Sequence, residues 1–120
     1  MNGQTDIYTN LLLKLSKKAL ALGELPISAI IVDPVNKKVI SACINQTKKN
    51  PILHAEINAI LKALKLTNSK RLDKFDLYCS LEPCAMCASA ISLSRIRRVY
   101  FCLEDKKSGG FINGPKLIYS

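Results

Sequence analysis

One hundred and twenty residues, 48% of them hydrophobic, suffice for one domain with a single core and exclude a disordered basic tail. No apolar run approaches the roughly 18 residues of a membrane span, and the start MNGQTDIY lacks the cationic stretch of an export signal. Eighteen Lys and Arg against nine Asp and Glu leave a net charge of +9, which suits an anionic partner such as RNA without identifying one.

Residues 6–22 are predicted to form a helix, with Leu11, Leu15, Ala19 and Leu22 as its apolar stripe, Lys14, Lys17 and Lys18 off it, and Gly23 as its stop. Two β-branched runs, 27–32 and 38–44, flank Asp33-Pro34-Val35-Asn36-Lys37, whose turn formers make them a hairpin. The polar loop NQTKKNP leads to a second helix over 53–66, with Leu53, Ile57, Ile60, Leu61 and Leu64 facing inward. Beyond TNSKRLDK come a strand over 75–81, a small-residue helix over 84–94 and a strand over 97–103. The order α-β-β-α-β-α-β predicts an α/β fold, a three-layer α/β/α sandwich with a mixed sheet. Its first two strands run antiparallel and its last two parallel. No repeat or linker divides residues 1–120, so they form a single domain.

The five cysteines are Cys43, Cys79, Cys84, Cys87 and Cys102. An odd count without an export signal argues against a disulfide framework and for a reducing cytoplasm. Cys43, Cys79 and Cys102 fall in strand-like runs and read as small buried hydrophobes. Cys84 and Cys87 lie three apart behind Pro83, in Ser80-Leu81-Glu82-Pro83-Cys84-Ala85-Met86-Cys87. The single histidine lies in His54-Ala55-Glu56, entered through Asn50-Pro51.

A lone histidine is usually an ordinary residue, and a lone Cys-x-x-Cys is ambiguous between redox chemistry, structural metal and chance. Their joint occurrence at two helix starts is harder to dismiss. A structural zinc site normally takes four protein ligands, whereas His54, Cys84 and Cys87 offer three and leave a position open for chemistry. A redox pair would leave His54 and Glu56 idle. Two cysteines three apart sit about 60° apart around a helix and can share one ion, with Pro83 in the first turn. The helix N-terminus favours the thiolate form a metal needs. His54 and Glu56 would be about 200° apart on an ideal helix. They reach one point only if His54 begins the helix and the side chains fold over its end. Zinc with an open position uses all four residues, and Glu56 is then the base that takes a proton from the attacking water and hands it on.

H-x-E…P-C-x-x-C is the known signature of the zinc nucleobase deaminases. Through ELPISAIIV, Asn45 after the second strand, NPILHAEINAI, LYCSLEPCAMCASAI and SRIRRVYF, the chain resembles the bacterial tRNA adenosine deaminases of the cytidine-deaminase-like superfamily. The resemblance implies one zinc ion per chain on His54, Cys84 and Cys87, and hydrolysis of the wobble adenosine of an arginine tRNA to inosine. Glu56 would carry a proton from the activated water to the purine N1 and then to the departing ammonia. Asn45 and the backbone of Ala55 would hold the base, Leu25 would lie near its wall, and Asp105 would lie beside the substrate backbone. It also implies a cytoplasmic homodimer whose second chain completes the RNA surface, away from any membrane.

The chain departs from the family pattern at Ser28, where glycine is usual, at Leu53, where a small residue is usual, and at Glu104, often basic. Ser120 comes before the family's fifth strand and C-terminal helix. A missing strand would leave the fourth as an exposed edge, to be covered by Phe111–Tyr119 or another chain. Two alternatives stay open: a small-molecule deaminase acting on cytosine, guanine, cytidine or deoxycytidylate, and an inactive zinc-binding remnant. On the predicted topology Lys48, Lys49, Lys106 and Lys107 lie at the mouth of the site and are expected to contact RNA phosphates. Lys37, Lys38, Lys70, Arg71, Lys74, Arg95, Arg97 and Arg98 fall at the far end.

Overall fold

The computed structural model describes residues 3–105, 107, 109 and 110, the side chains of 3–5 excepted. Its elements are α1 (Gly3–Ala21), β1 (Ser28–Asp33), β2 (Lys38–Ile44), α2 (Ala55–Thr67), β3 (Asp76–Leu81), α3 (Ala85–Leu93) and β4 (Arg98–Leu103). The four strands form one mixed sheet in the order β2-β1-β3-β4. β1 pairs antiparallel with both β2 and β3, and β3 pairs parallel with β4.

β1 is central, and its run Ser-Ala-Ile-Ile-Val is buried throughout because both faces of the sheet are covered. Alternate residues then serve opposite layers. Ile30, Val32 and Tyr78 pack with Tyr8 and Leu12 beneath α1. Ala29, Ile31, Leu77 and Cys79 pack with Ala55, Ala59, Ile60, Ala63, Ala88 and Ile91 beneath α2 and α3. This is the expected three-layer sandwich.

The stripes of the helices differ from the expected ones. On α1 Tyr8, Leu12, Ser16 and Ala19 are buried and the expected Leu11 and Leu15 pack partly buried beside them, while Leu22 is exposed. Gly23, at φ +79°, turns the chain away first, and Leu22 lies beyond the last helical turn. α2 buries Ala55, Ala59 and Ala63 beside Ile60, while Leu61 is exposed. Its alanine face lets the helix approach the sheet closely, and the larger side chains move to the flanks. Cys79 is buried as expected and Cys43 half so, but Cys102 is exposed, because β4 is an edge strand among the described residues. Phe111–Tyr119, expected to cover that edge, lies outside the described residues.

The hairpin turn is set by Asp33, whose Oδ1 accepts the N–H groups of Val35 and Asn36, and by Lys37 in the left-handed region at φ 56°. Ser28, at the family's glycine position, is fully buried between α1 and the sheet. Its hydroxyl bonds Ser16 and the Leu12 carbonyl, so the extra polar group has partners.

Candidate zinc site

Two helix starts meet where β2, β3 and β4 end. α2 begins at Ala55 with His54 as its N-cap (φ −65°, ψ 155°), and α3 begins at Ala85 with Cys84 as its N-cap (φ −71°, ψ 174°). Cys84 therefore lies outside the helix, and Pro83 precedes the cap instead of occupying the first turn. The extended backbone at both caps lets each side chain fold over its helix end. His54 makes no capping bond to its own helix. His54 Nδ1 instead stands 3.6 Å from Cys84 Sγ and 3.6 Å from Cys87 Sγ.

That spacing suits zinc. Bonds of about 2.3 Å to sulfur and 2.0–2.1 Å to nitrogen, at the tetrahedral angle, put the two donors about 3.5–3.6 Å apart. All three ligand atoms lie within 4.8 Å of one another. One imidazole and two thiols form a suitable zinc donor set with a fourth position left for water or substrate.

The two thiols divide one proton. A hydrogen bond from Cys87 and the backbone N–H groups of Cys87 and Met86 hold the Cys84 thiol down to about 5. The same thiol–thiol bond, with burial, pushes Cys87 well up. A metal cation would take the place of the proton the pair shares.

Glu56, in the first turn of α2, is only 3% exposed, and burial pushes its carboxyl up to about 7. Its Oε1 is a buried side-chain atom without a hydrogen-bond partner. Leaving such an atom unpaired costs about 1–3 kcal/mol, which a bound water or substrate group would recover. The carboxyl also lies within hydrogen-bonding reach of Cys87.

Asn45, which follows β2, is buried, and its Oδ1 accepts the Ala55 N–H at 2.7 Å. The two residues expected to hold the base are therefore bonded to each other. Leu25 is 61% exposed, which removes core packing as its role. Asp105 follows β4; its carbonyl accepts the Gly109 N–H at 3.0 Å, and Gly109 bridges to Cys84. Its loop thus lies against Cys84 of the His54–Cys84–Cys87 triangle. Met86, between the cysteines, is partly exposed and is not core packing.

Lys48 and Lys49 are exposed on the loop after Asn45, and Lys107 is exposed on the loop after β4. Lys48 Nζ is 3.4 Å from the Leu22 carbonyl. Lys106 lies outside the described residues. Arg97, at the far end, makes a two-pronged bond to the buried Asp76 at 2.8 and 2.7 Å.

Two residues missed by sequence reasoning position this rim. Glu24 accepts the N–H groups of Thr47 and Lys48 and the Thr47 hydroxyl, tying the Leu25 segment to the Lys48 loop. These bonds hold its carboxyl below the usual range, against the opposing effect of desolvation. Asn58 Nδ2 donates to the carbonyls of Ile44 and Leu53 on both sides of that loop. Both lie in runs that carry the family resemblance, ELPISAIIV and NPILHAEINAI, but a side chain that bonds the backbone of a distant loop has no pattern of its own there.

The cytidine and deoxycytidylate deaminase zinc-binding region matches residues 3–103. A tRNA-specific adenosine deaminase of Rickettsia bellii (strain RML369-C) is 46% identical over 99 residues, 81% of this chain and 68% of that protein. The chain spans about two thirds of the length of the curated relatives it matches. A structure solved in work on A-to-I editing by tRNA:A34 deaminases superimposes with a TM-score of 0.92 at 35% identity, over 98% of this chain and 91% of that one. A guanine deaminase from Bacillus subtilis gives 0.76 at 34% identity, over 87% and 66%. The chain belongs to the cytidine and deoxycytidylate deaminase zinc-binding family and, within it, to the tRNA-specific adenosine deaminases.

Proposed function

We propose that the protein hydrolyses the 6-amino group of adenosine at the wobble position of a tRNA anticodon, giving inosine and ammonia. The observation that carries this is the triangle of His54, Cys84 and Cys87 with the unpartnered Oε1 of Glu56 beside it. In this reading those three side chains hold one zinc ion. When bound, zinc supplies electrophilic activation of a water.

Glu56 takes a proton from that water and delivers it to the purine N1 as the new C6–O bond forms. It then carries the second proton to the amino group; the C6–N bond breaks and ammonia leaves. A carboxyl raised to about 7 suits this double duty, since it gains and loses a proton near neutrality. Asn45 and the Ala55 backbone hold the base, Leu25 lies along its edge, and Asp105 lies beside the nucleotide chain. Lys48, Lys49, Lys106 and Lys107 take phosphates. The base must leave its stack to enter, which a single-stranded anticodon loop permits at low cost.

The protein acts in this reading as a cytoplasmic homodimer. Five free cysteines suit a reducing compartment. No helix among the described residues is long and apolar enough to cross a membrane. Purified protein of known zinc content, incubated with an arginine tRNA carrying wobble adenosine, tests the activity by nucleoside mass spectrometry. Free cytosine, guanine, cytidine and deoxycytidylate serve as rival substrates and Glu56→Ala as control. Inosine from tRNA that disappears in the variant supports the reading. Product from a small molecule alone assigns the site to that class, and zinc without any product marks an inactive remnant.

A further inference from the structure

Glu82 stands two residues before the zinc ligand Cys84 and has no part in the chemistry above. Its side chain is buried at 2% exposure, an expensive place for a carboxylate. The backbone N–H of Glu82 donates to the Leu103 carbonyl at 2.7 Å, extending the β3–β4 ladder past Leu81. Its Oε1 accepts the Asp105 N–H at 3.1 Å. The Asp105 carbonyl accepts the Gly109 N–H, Gly109 bridges to Cys84, and the Gly110 N–H donates to the Pro83 carbonyl at 2.6 Å. Asp105 Oδ1 accepts the Lys107 N–H at 3.1 Å.

Gly109 is shaped for this contact. A Cβ there would lie 2.1 Å from Glu82 Oε2 and 2.7 Å from the Asp105 carbonyl oxygen, one of them backbone and unable to yield. Gly110 is similarly confined, 2.8 Å from the Ala88 Cβ. One buried carboxylate thus registers the Asp105 loop against the strand end that delivers Cys84. An apolar side chain would fill the space without holding the Asp105 amide, so packing alone does not explain an acid.

We infer that Glu82 is a positioning residue that fixes Asp105 and Lys107 at the mouth of the zinc site, and so sets affinity for the RNA chain beside the reacting base without acting on the zinc. This rests on the proposed tRNA reading. Affinity for the nucleic acid depends on the loop, whereas the bond changes at C6 depend on Glu56 and the metal.

The test compares zinc-loaded wild type with Glu82→Gln, Glu82→Leu and Gly109→Ala. Four quantities are read: zinc content, hydrogen exchange at the Asp105 amide, Kd for an anticodon stem-loop with wobble adenosine, and the kcat and KM of its deamination. Glu82→Gln keeps an acceptor and is expected to stay close to wild type. Glu82→Leu and Gly109→Ala are expected to keep one zinc per chain, exchange the Asp105 amide faster, and raise Kd and KM about tenfold, as for loss of a buried hydrogen bond, with kcat within about threefold. Gly109→Ala probes the contact from the loop side should Glu82→Leu fold poorly. Loss of zinc, a fall in kcat at constant KM, or unchanged exchange and Kd would overturn the inference. Absence of inosine with wild type would instead defeat the tRNA reading, and the exchange at Asp105 would still decide whether Glu82 holds the loop.

Discussion

Asn45 Oδ1 accepts the backbone N–H of Ala55 at 2.7 Å, so the residue just after β2 caps the helix that His54 opens. His54, the N-cap by position, makes no capping bond, and its ring is turned toward the two cysteines. The capping duty has passed to another element, which frees the imidazole for a metal.

Asn45→Ala is therefore expected to cost about 1–2 kcal/mol, the usual loss for a helix cap, measured by urea denaturation. Asn45→Asp retains an acceptor at the positive end of α2 and should stay within about 0.5 kcal/mol of wild type. It cannot donate through that side chain, so its deaminase activity should still fall. Equal stability for the alanine variant would remove Asn45 from the cap.

The pH dependence of the metal-free protein isolates Glu56. Its carboxyl is raised on folding from 4.5 to about 7, so its contribution to stability is fully present below pH 4.5 and is lost as pH rises through 7. Cys84, lowered from 9.0 to about 5, has the opposite trend: its contribution is present above pH 9 and lost as pH falls through 5. The difference between wild type and Glu56→Gln cancels the Cys84 contribution. That difference should grow from near zero at pH 4.5 to about 3 kcal/mol in favour of the variant above pH 7. Parallel profiles would show that folding leaves the carboxyl unshifted.

Zinc removal should destabilise the fold, because the ligands come from two helices and only the folded chain brings them together. A hundredfold excess of zinc over its Kd adds about 2.7 kcal/mol, on the order of 10 °C in Tm for a chain of this size. Chelation is expected to reverse that shift, and Cys87→Ala should melt at the chelated temperature with or without zinc. A melting temperature indifferent to chelation would rule out a bound metal at this triangle.

Replacing Lys48, Lys49, Lys106 and Lys107 together by alanine is expected to weaken tRNA binding and flatten its salt dependence. Each lost phosphate contact should reduce the slope of log Kd against log salt by roughly 0.7 to 0.9. Replacement of Lys37, Lys38, Lys70 and Lys74, at the far end, should leave the slope unchanged. An unchanged slope in the first variant would remove these lysines from the RNA surface.

The sequence by itself determined the elements and the three candidate zinc ligands. Periodicity and turn residues placed all seven elements because local geometry suffices for them: Pro34 and Asn36 for the hairpin, Gly23 for the end of α1. His54, Cys84 and Cys87 were legible because only certain side chains bind zinc, and two short motifs carry all three. Only the tertiary structure decided which faces are buried. Leu22 and Leu61 satisfy a helical period yet lie exposed, since burial follows from what each helix meets. It also placed Cys84 outside α3, because a cap has extended backbone that spacing along an ideal helix cannot express. Asn45, Glu24 and Glu82 bond backbone amides 10, 23 and 23 residues away. An amide N–H looks the same at every position in the sequence, so long-range bonds of this kind leave no local pattern and become visible only when the chain has folded.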